Sequence, residues 1–104
     1  MKQVINGKTY NTETATLIET RFDKAKPQGD LDFCRETLYQ KKDGEYFILG
    51  EGGPMTFYAE PDGLHNIGWG ARIYPLTEQQ AKIFMDSTGE MPALASNTRY
   101  QRGM

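Results

Sequence analysis

The chain has 104 residues, enough for one domain built on a single modest core. Its net charge of −2, with 38% hydrophobic and 25% charged residues, excludes a general nucleic-acid binder, which would show a basic footprint, and a chain disordered throughout. No apolar run approaches the roughly 18 residues of a membrane-spanning helix.

The opening MKQVINGKTY lacks the apolar stretch of a secretory signal. A lone cysteine, Cys34, forms no internal disulfide and gives no reason to place the chain in an oxidising compartment. The expectation is a cytoplasmic protein. Residues 2–10 read as a hairpin. Asn6-Gly7 accepts positive φ at both turn positions, with Val4 and Ile5 on one side and Thr9 and Tyr10 on the other. Asn11 is placed to cap a helical turn near 12–16, followed by a strand from Leu17 to Phe22. The polar stretch 23–30, with its Pro and Gly, is a loop.

Two runs, "LDFCRETLYQK" and "EYFILG", flank Lys42-Asp43-Gly44 as a second hairpin. A two-residue and a three-residue loop both suit the turn chemistry. They differ in register, and so in which face carries Leu38 and which Tyr39. "GEGGP" (50–54) interrupts the strand, "MTFYAE" (55–60) resumes it, "PDGLHNIGWG" (61–70) is a turn-rich loop, and "ARIYPL" (71–76) is a last strand. The period then changes. Thr77-Glu78-Gln79-Gln80 is a capping box with Leu76 and Ala81 as its hydrophobic staple. Ala81, Phe84, Met85 and Thr88 recur at helical spacing, and Gly89 stands at the C-cap position. The fold class expected is α+β: a small antiparallel sheet of five or six strands, with one C-terminal helix at about 77–88 packed on one face. Residues 1–89 form the domain and 90–104 a flexible tail.

Little in this pattern carries chemistry. One His and one Cys stand 31 positions apart, without the paired ligands of a structural zinc site. No metal and no cofactor are expected. Cys34 lies mid-strand, where a cysteine is a small core residue, and His65 lies in a loop. A Cys34–His65 dyad is the enzymatic alternative, and a GEGG phosphate loop is the ligand-binding one. That loop lacks the following Lys-Ser/Thr and the helix start that phosphate cradling uses. No catalytic residue is assigned.

Residues 43–71 instead form a surface argument. They hold five acidic residues and no lysine or arginine, interleaved with aromatics. Acidic groups steer toward a basic partner, and Tyr and Trp serve as anchors. On this reading Glu45, Glu51, Glu60 and Asp62 supply charge, and Tyr46, Tyr58 and Trp69 supply anchors. Reversing Glu51 and Glu60 to Lys is then expected to abolish binding with the fold intact. The remaining alternative is a self-associating module, a homodimer joined along an exposed sheet edge.

Three blocks, "NGKTYNTETATLI", "RETLYQKKDGEYFILGEGGPMTFYAE" and "IYPLTEQQAKIF", occur in order across roughly residues 5–86. They resemble a family of small bacterial proteins found in phages and integrative elements. The resemblance implies a mobile-element setting, where small proteins inhibit host defence, anti-CRISPR proteins among them, by occupying a basic nucleic-acid surface on a larger complex. The expectation is a non-enzymatic binding protein acting on a larger bacterial protein such as a CRISPR effector, with no direct nucleic-acid or membrane binding.

Overall fold

A central four-stranded antiparallel sheet is assembled from β3 (Thr16–Phe22), β4 (Cys34–Gln40), β5 (Tyr46–Gly52) and β8 (Gly70–Leu76), in the order β3-β4-β5-β8. The computed structural model describes residues 1–22 and 29–86. The loop expected over 23–30 falls mostly outside them, as do Thr88, Gly89 and the tail at 90–104. Two short ribbons accompany the sheet: β1 (Lys2–Ile5) with β2 (Lys8–Asn11), and β6 (Glu60–Pro61) with β7 (Ile67–Gly68). One helix, α1 (Glu78–Asp86), follows β8. The α+β class therefore holds, but the main sheet has four strands rather than five or six.

Local signals account for the turns. Asn6 and Gly7 adopt φ of 51° and 79° and close the β1–β2 hairpin. The Asn11 side chain accepts the Glu13 amide at 2.9 Å, and Thr14 and Ala15 donate to the Asn11 carbonyl, forming the expected turn before β3. Lys41 donates to the Glu45 carbonyl and Gly44 to that of Lys41. The second hairpin loop is therefore the three-residue one, with Gly44 at φ 93°. This register pairs Leu38 with Ile48 and Tyr39 with Phe47. The capping box also forms: Gln80 donates its amide to the Thr77 hydroxyl at 3.1 Å, and Thr77 donates to the Gln80 side chain at 2.8 Å.

Alternation along the strands gives the sheet two covered faces. On one, α1 lays Ala81 and Phe84 over Leu38, Ile48 and Leu76. Arg21 donates to the carbonyls of Phe84 and Met85, satisfying the helix C-terminus. On the other, the β1–β2 hairpin packs Tyr10 edge-on against Phe47, with Ile73 beside them. The Gln3 side chain accepts the amide of Ile73 on the β8 edge.

The segment 55–60, expected as a strand, instead continues a run of turns from Pro54 that crosses the helix-bearing face, and only Glu60 enters a strand, β6. Tyr58 is fully buried there, and its hydroxyl donates to the buried carboxylate of Glu36 at 2.5 Å. Three glycines make this crossing sterically feasible. A Cβ on Gly50 would lie 2.0 Å from the Tyr58 ring, one on Gly52 2.3 Å from the Thr56 hydroxyl, and one on Gly70 1.9 Å from the Tyr58 carbonyl. The GEGG stretch is thus a bare track for a crossing chain rather than a phosphate cradle.

A polar clamp holds the β1–β2 hairpin. The Tyr10 hydroxyl donates to Glu45 at 2.5 Å, and the Lys41 ammonium lies 4.5 Å from the Tyr10 ring centre and 3.4 Å from Glu45. Burial, together with the Glu45 carboxylate, pushes the Tyr10 phenol up to about 12. The Tyr10 hydrogen bond, followed by Lys41, holds Glu45 below its usual value of 4.5. The Glu45 contribution to stability is therefore present above pH 4.5 and lost as pH falls through its lowered folded value. The Tyr10 contribution is present below pH 10 and lost between pH 10 and about 12. Glu45→Gln should destabilise by about 1–2 kcal/mol at pH 7, and the difference should shrink as pH falls below 4.5, as read by urea unfolding at each pH. A difference that stays constant as pH falls would show that the Glu45 charge does not hold the hairpin.

Candidate functional site

β4 and β8 begin, and β3 and β5 end, at the same end of the sheet. This loop end lies opposite the Lys42-Asp43-Gly44 turn. Its aromatic side chains form a row on the face that carries the β1–β2 hairpin. Phe33 is buried at the centre, stacked on Trp69 with ring centres 6.2 Å apart and in contact with Phe22 at 6.1 Å. Phe22 and Trp69 remain exposed, the latter at 44%. Leu31 and Met55 are joined by a backbone hydrogen bond of 2.9 Å, and both are exposed. The β6–β7 hairpin projects from the same end and carries exposed Leu64 and Ile67, with Leu64 90% exposed at its tip. Six of the ten exposed large hydrophobic residues among the described ones gather here: Phe22, Leu31, Met55, Leu64, Ile67 and Trp69.

The residues expected at a binding surface separate into three groups. Trp69 and Asp62 lie at the loop end. Asp62 is exposed on the β6–β7 hairpin and makes no ion pair among the described residues. Glu51 and Glu60 are near it but are neutralised locally. Glu51 meets Arg35 at 2.6 Å, directly across the β4–β5 register, and Glu60 meets Arg72 at 3.3 Å. Glu45 and Tyr46 lie at the other end of β5, about 20 Å away at 3.3 Å per residue. There Glu45 is held in the clamp and Tyr46 packs against the Leu38–Ile48 core. Tyr58 is a core residue, 0% exposed. It is not available as a surface anchor, because its ring fills the space left by Gly50.

Sequence reasoning therefore missed Phe22, Leu31, Met55, Leu64 and Ile67. A usable signal was present for Leu64 and Ile67. Both are apolar residues set among Asp62-Gly63, Asn66 and Gly68, in a stretch with neither helical nor strand periodicity, where no core face exists to receive them.

For nucleophilic chemistry the geometry offers little. Cys34 is 1% exposed, packed in a cluster with Tyr58, while His65 is exposed in the β6–β7 turn. Among the described residues no three His, Cys, Asp or Glu side chains are grouped to hold a metal ion, and no helix is long and apolar enough to cross a membrane. Labelling of Cys34 by a thiol reagent at neutral pH should be slow in the native protein and immediate in denaturant. Rapid native labelling would restore the thiol as a candidate nucleophile.

No protein-family model, no curated protein and no solved structure matches this chain. The resemblance to mobile-element proteins thus rests on the three sequence blocks alone.

Proposed function

We propose that this chain is a non-enzymatic binding protein that docks onto a larger protein through the loop end of its sheet. The observation that carries this reading is the gathering of Phe22, Leu31, Met55, Leu64, Ile67 and Trp69 at one end. Exposed apolar side chains gathered at one end of a small domain mark a contact site. Asp62 and the exposed Asp30 add negative charge beside it, so the matching partner offers an apolar pocket with a basic rim. The resemblance to phage and integrative-element proteins makes a host-defence complex with a nucleic-acid surface, such as a CRISPR effector, the first partner to try.

Edge-to-edge self-association receives less support. β3, an outer strand, carries a bulge at Ile18 and points Glu19 and Arg21 toward the helix-bearing face. β8, the other edge, contains Pro75 and has its Ile73 amide occupied by Gln3. Bulges, inward charges and prolines are the features that blunt sheet edges.

The test compares the wild-type chain with a Leu64→Asp, Trp69→Ala double variant as baits in bacterial lysate and against purified defence complexes. A partner held by the first and not by the second is the expected result. Equal retention by both would overturn the assignment of this surface.

A further inference from the structure

The opposite end of the molecule holds a different feature, independent of the docking surface. Eight lysines and arginines lie among the described residues. Six of them face a carboxylate: Lys8 and Lys41 meet Glu45, Arg21 meets Glu19, Arg35 meets Glu51, Arg72 meets Glu60 and Lys82 meets Glu78. Among the described residues Lys2 and Lys42 form no ion pair, and both line one cleft between the β1–β2 hairpin and the β4–β5 turn. In a chain with an excess of acid, every other described lysine and arginine is paired locally. The two that are not converge on one concavity.

The cleft has a volume of about 380 Å³, within the size range of small-ligand sites. Beside the two lysines it is lined by Thr9, Asn11 and Thr14, which carry two hydroxyls and an amide; the Thr14 hydroxyl also reaches the Asn11 carbonyl at 3.4 Å, and the Asn11 amide oxygen accepts the Glu13 amide. Lys41 also lines it and is fixed in place by the Tyr10 ring and Glu45. Ammonium groups with neighbouring hydroxyl and amide donors form the donor set that recognises a phosphate group. A pocket for an apolar ligand would be lined by aliphatic and aromatic residues, and here none lines it.

We infer that this cleft is an oxyanion site taking a phosphate group, with Lys2 and Lys42 as its charged contacts and Thr9, Asn11 and Thr14 as its neutral ones. Asp43 is the discordant member. Its carboxylate lies 3.6 Å from Lys41 and accepts the Glu45 amide at 2.9 Å. That amide bond, followed by the nearby lysines, holds it below the usual carboxylate range. Its charge opposes an incoming anion and sets a weak affinity that an amide would improve.

The experiment titrates the isotope-labelled full chain with inorganic phosphate and pyrophosphate, against sodium chloride at matched ionic strength, and follows backbone amide shifts. Saturable shifts are expected at Thr9, Asn11, Thr14, Lys42 and Asp43, larger for pyrophosphate. Lys2→Gln with Lys42→Gln should raise the dissociation constant at least about tenfold, whereas Lys82→Gln should leave it unchanged. Asp43→Asn keeps the turn acceptor and should tighten binding about threefold or more. A third arm with adenosine monophosphate identifies the source of the phosphate. Tighter binding than phosphate assigns an organic phosphate, and equal binding assigns the free anion. Shifts that do not saturate, or that chloride reproduces, would overturn the site. So would unchanged affinity in the double lysine variant when its circular dichroism matches wild type.

Discussion

Gly70→Ala is expected to lower the free energy of unfolding by about 3 kcal/mol or more, the upper range for forcing atoms into a packed site. The added Cβ would stand 1.9 Å from the carbonyl oxygen of Tyr58 and 2.3 Å from the Glu60 side chain. The first obstacle is backbone and cannot rotate away. Displacing it shifts the whole crossing segment, because Thr56 bonds the Gly53 carbonyl at 2.8 Å and Tyr58 bonds Glu36. Glu36 is itself fully buried, so withdrawing the Tyr58 hydroxyl removes one hydrogen bond from a buried carboxylate, a further cost of about 1–3 kcal/mol. Gly29→Ala is the matched control, since nothing lies within 4 Å of its Cβ. Urea unfolding followed by Trp69 fluorescence and by circular dichroism reads both. An unchanged midpoint for Gly70→Ala would show that segment 53–60 does not cross the sheet as described.

The legible parts of this fold are those decided by neighbours in the chain. Asn6-Gly7 and the Thr77–Gln80 box act over three or four residues, and both form. The Lys42-Asp43-Gly44 loop was ambiguous because its turn chemistry admits two lengths. Packing makes the choice, since the three-residue loop puts Leu38 beneath α1 and Tyr39 against Phe47. The segment 55–60 misled because Phe57 and Tyr58 favour strands. What overrides them is the glycine track at 50, 52 and 70, which becomes visible only once β5 and β8 lie side by side. The acidic run at 43–71 misled in the same way. Its carboxylates meet Lys8, Arg35, Lys41 and Arg72, all outside the run but brought against it by strand pairing and turns. Charge along the chain was not charge on the surface.

That pairing changes how the docking surface must be probed. Reversing Glu51 and Glu60 to Lys would place two cations against Arg35 and Arg72, so lost binding could reflect a disturbed sheet rather than a lost contact. Leu64 and Trp69 are cleaner sites. Leu64 makes almost no contact within the chain, so Leu64→Asp should leave stability within about 0.5 kcal/mol while placing a charge where an apolar pocket must close. Trp69 stacks on Phe33, and its truncation should reduce stability modestly and remove the largest exposed aromatic anchor. Tryptophan at the centre of an interface typically contributes about 2 kcal/mol or more. The double variant should therefore raise the dissociation constant for a captured partner by about 30-fold or more, measured by titration calorimetry at two salt concentrations. Wild-type affinity should fall only modestly with salt, because Glu51 and Glu60 at this end are already paired with Arg35 and Arg72. A steep salt dependence with little loss from the double variant would mean that charge, not the apolar end, makes the contact.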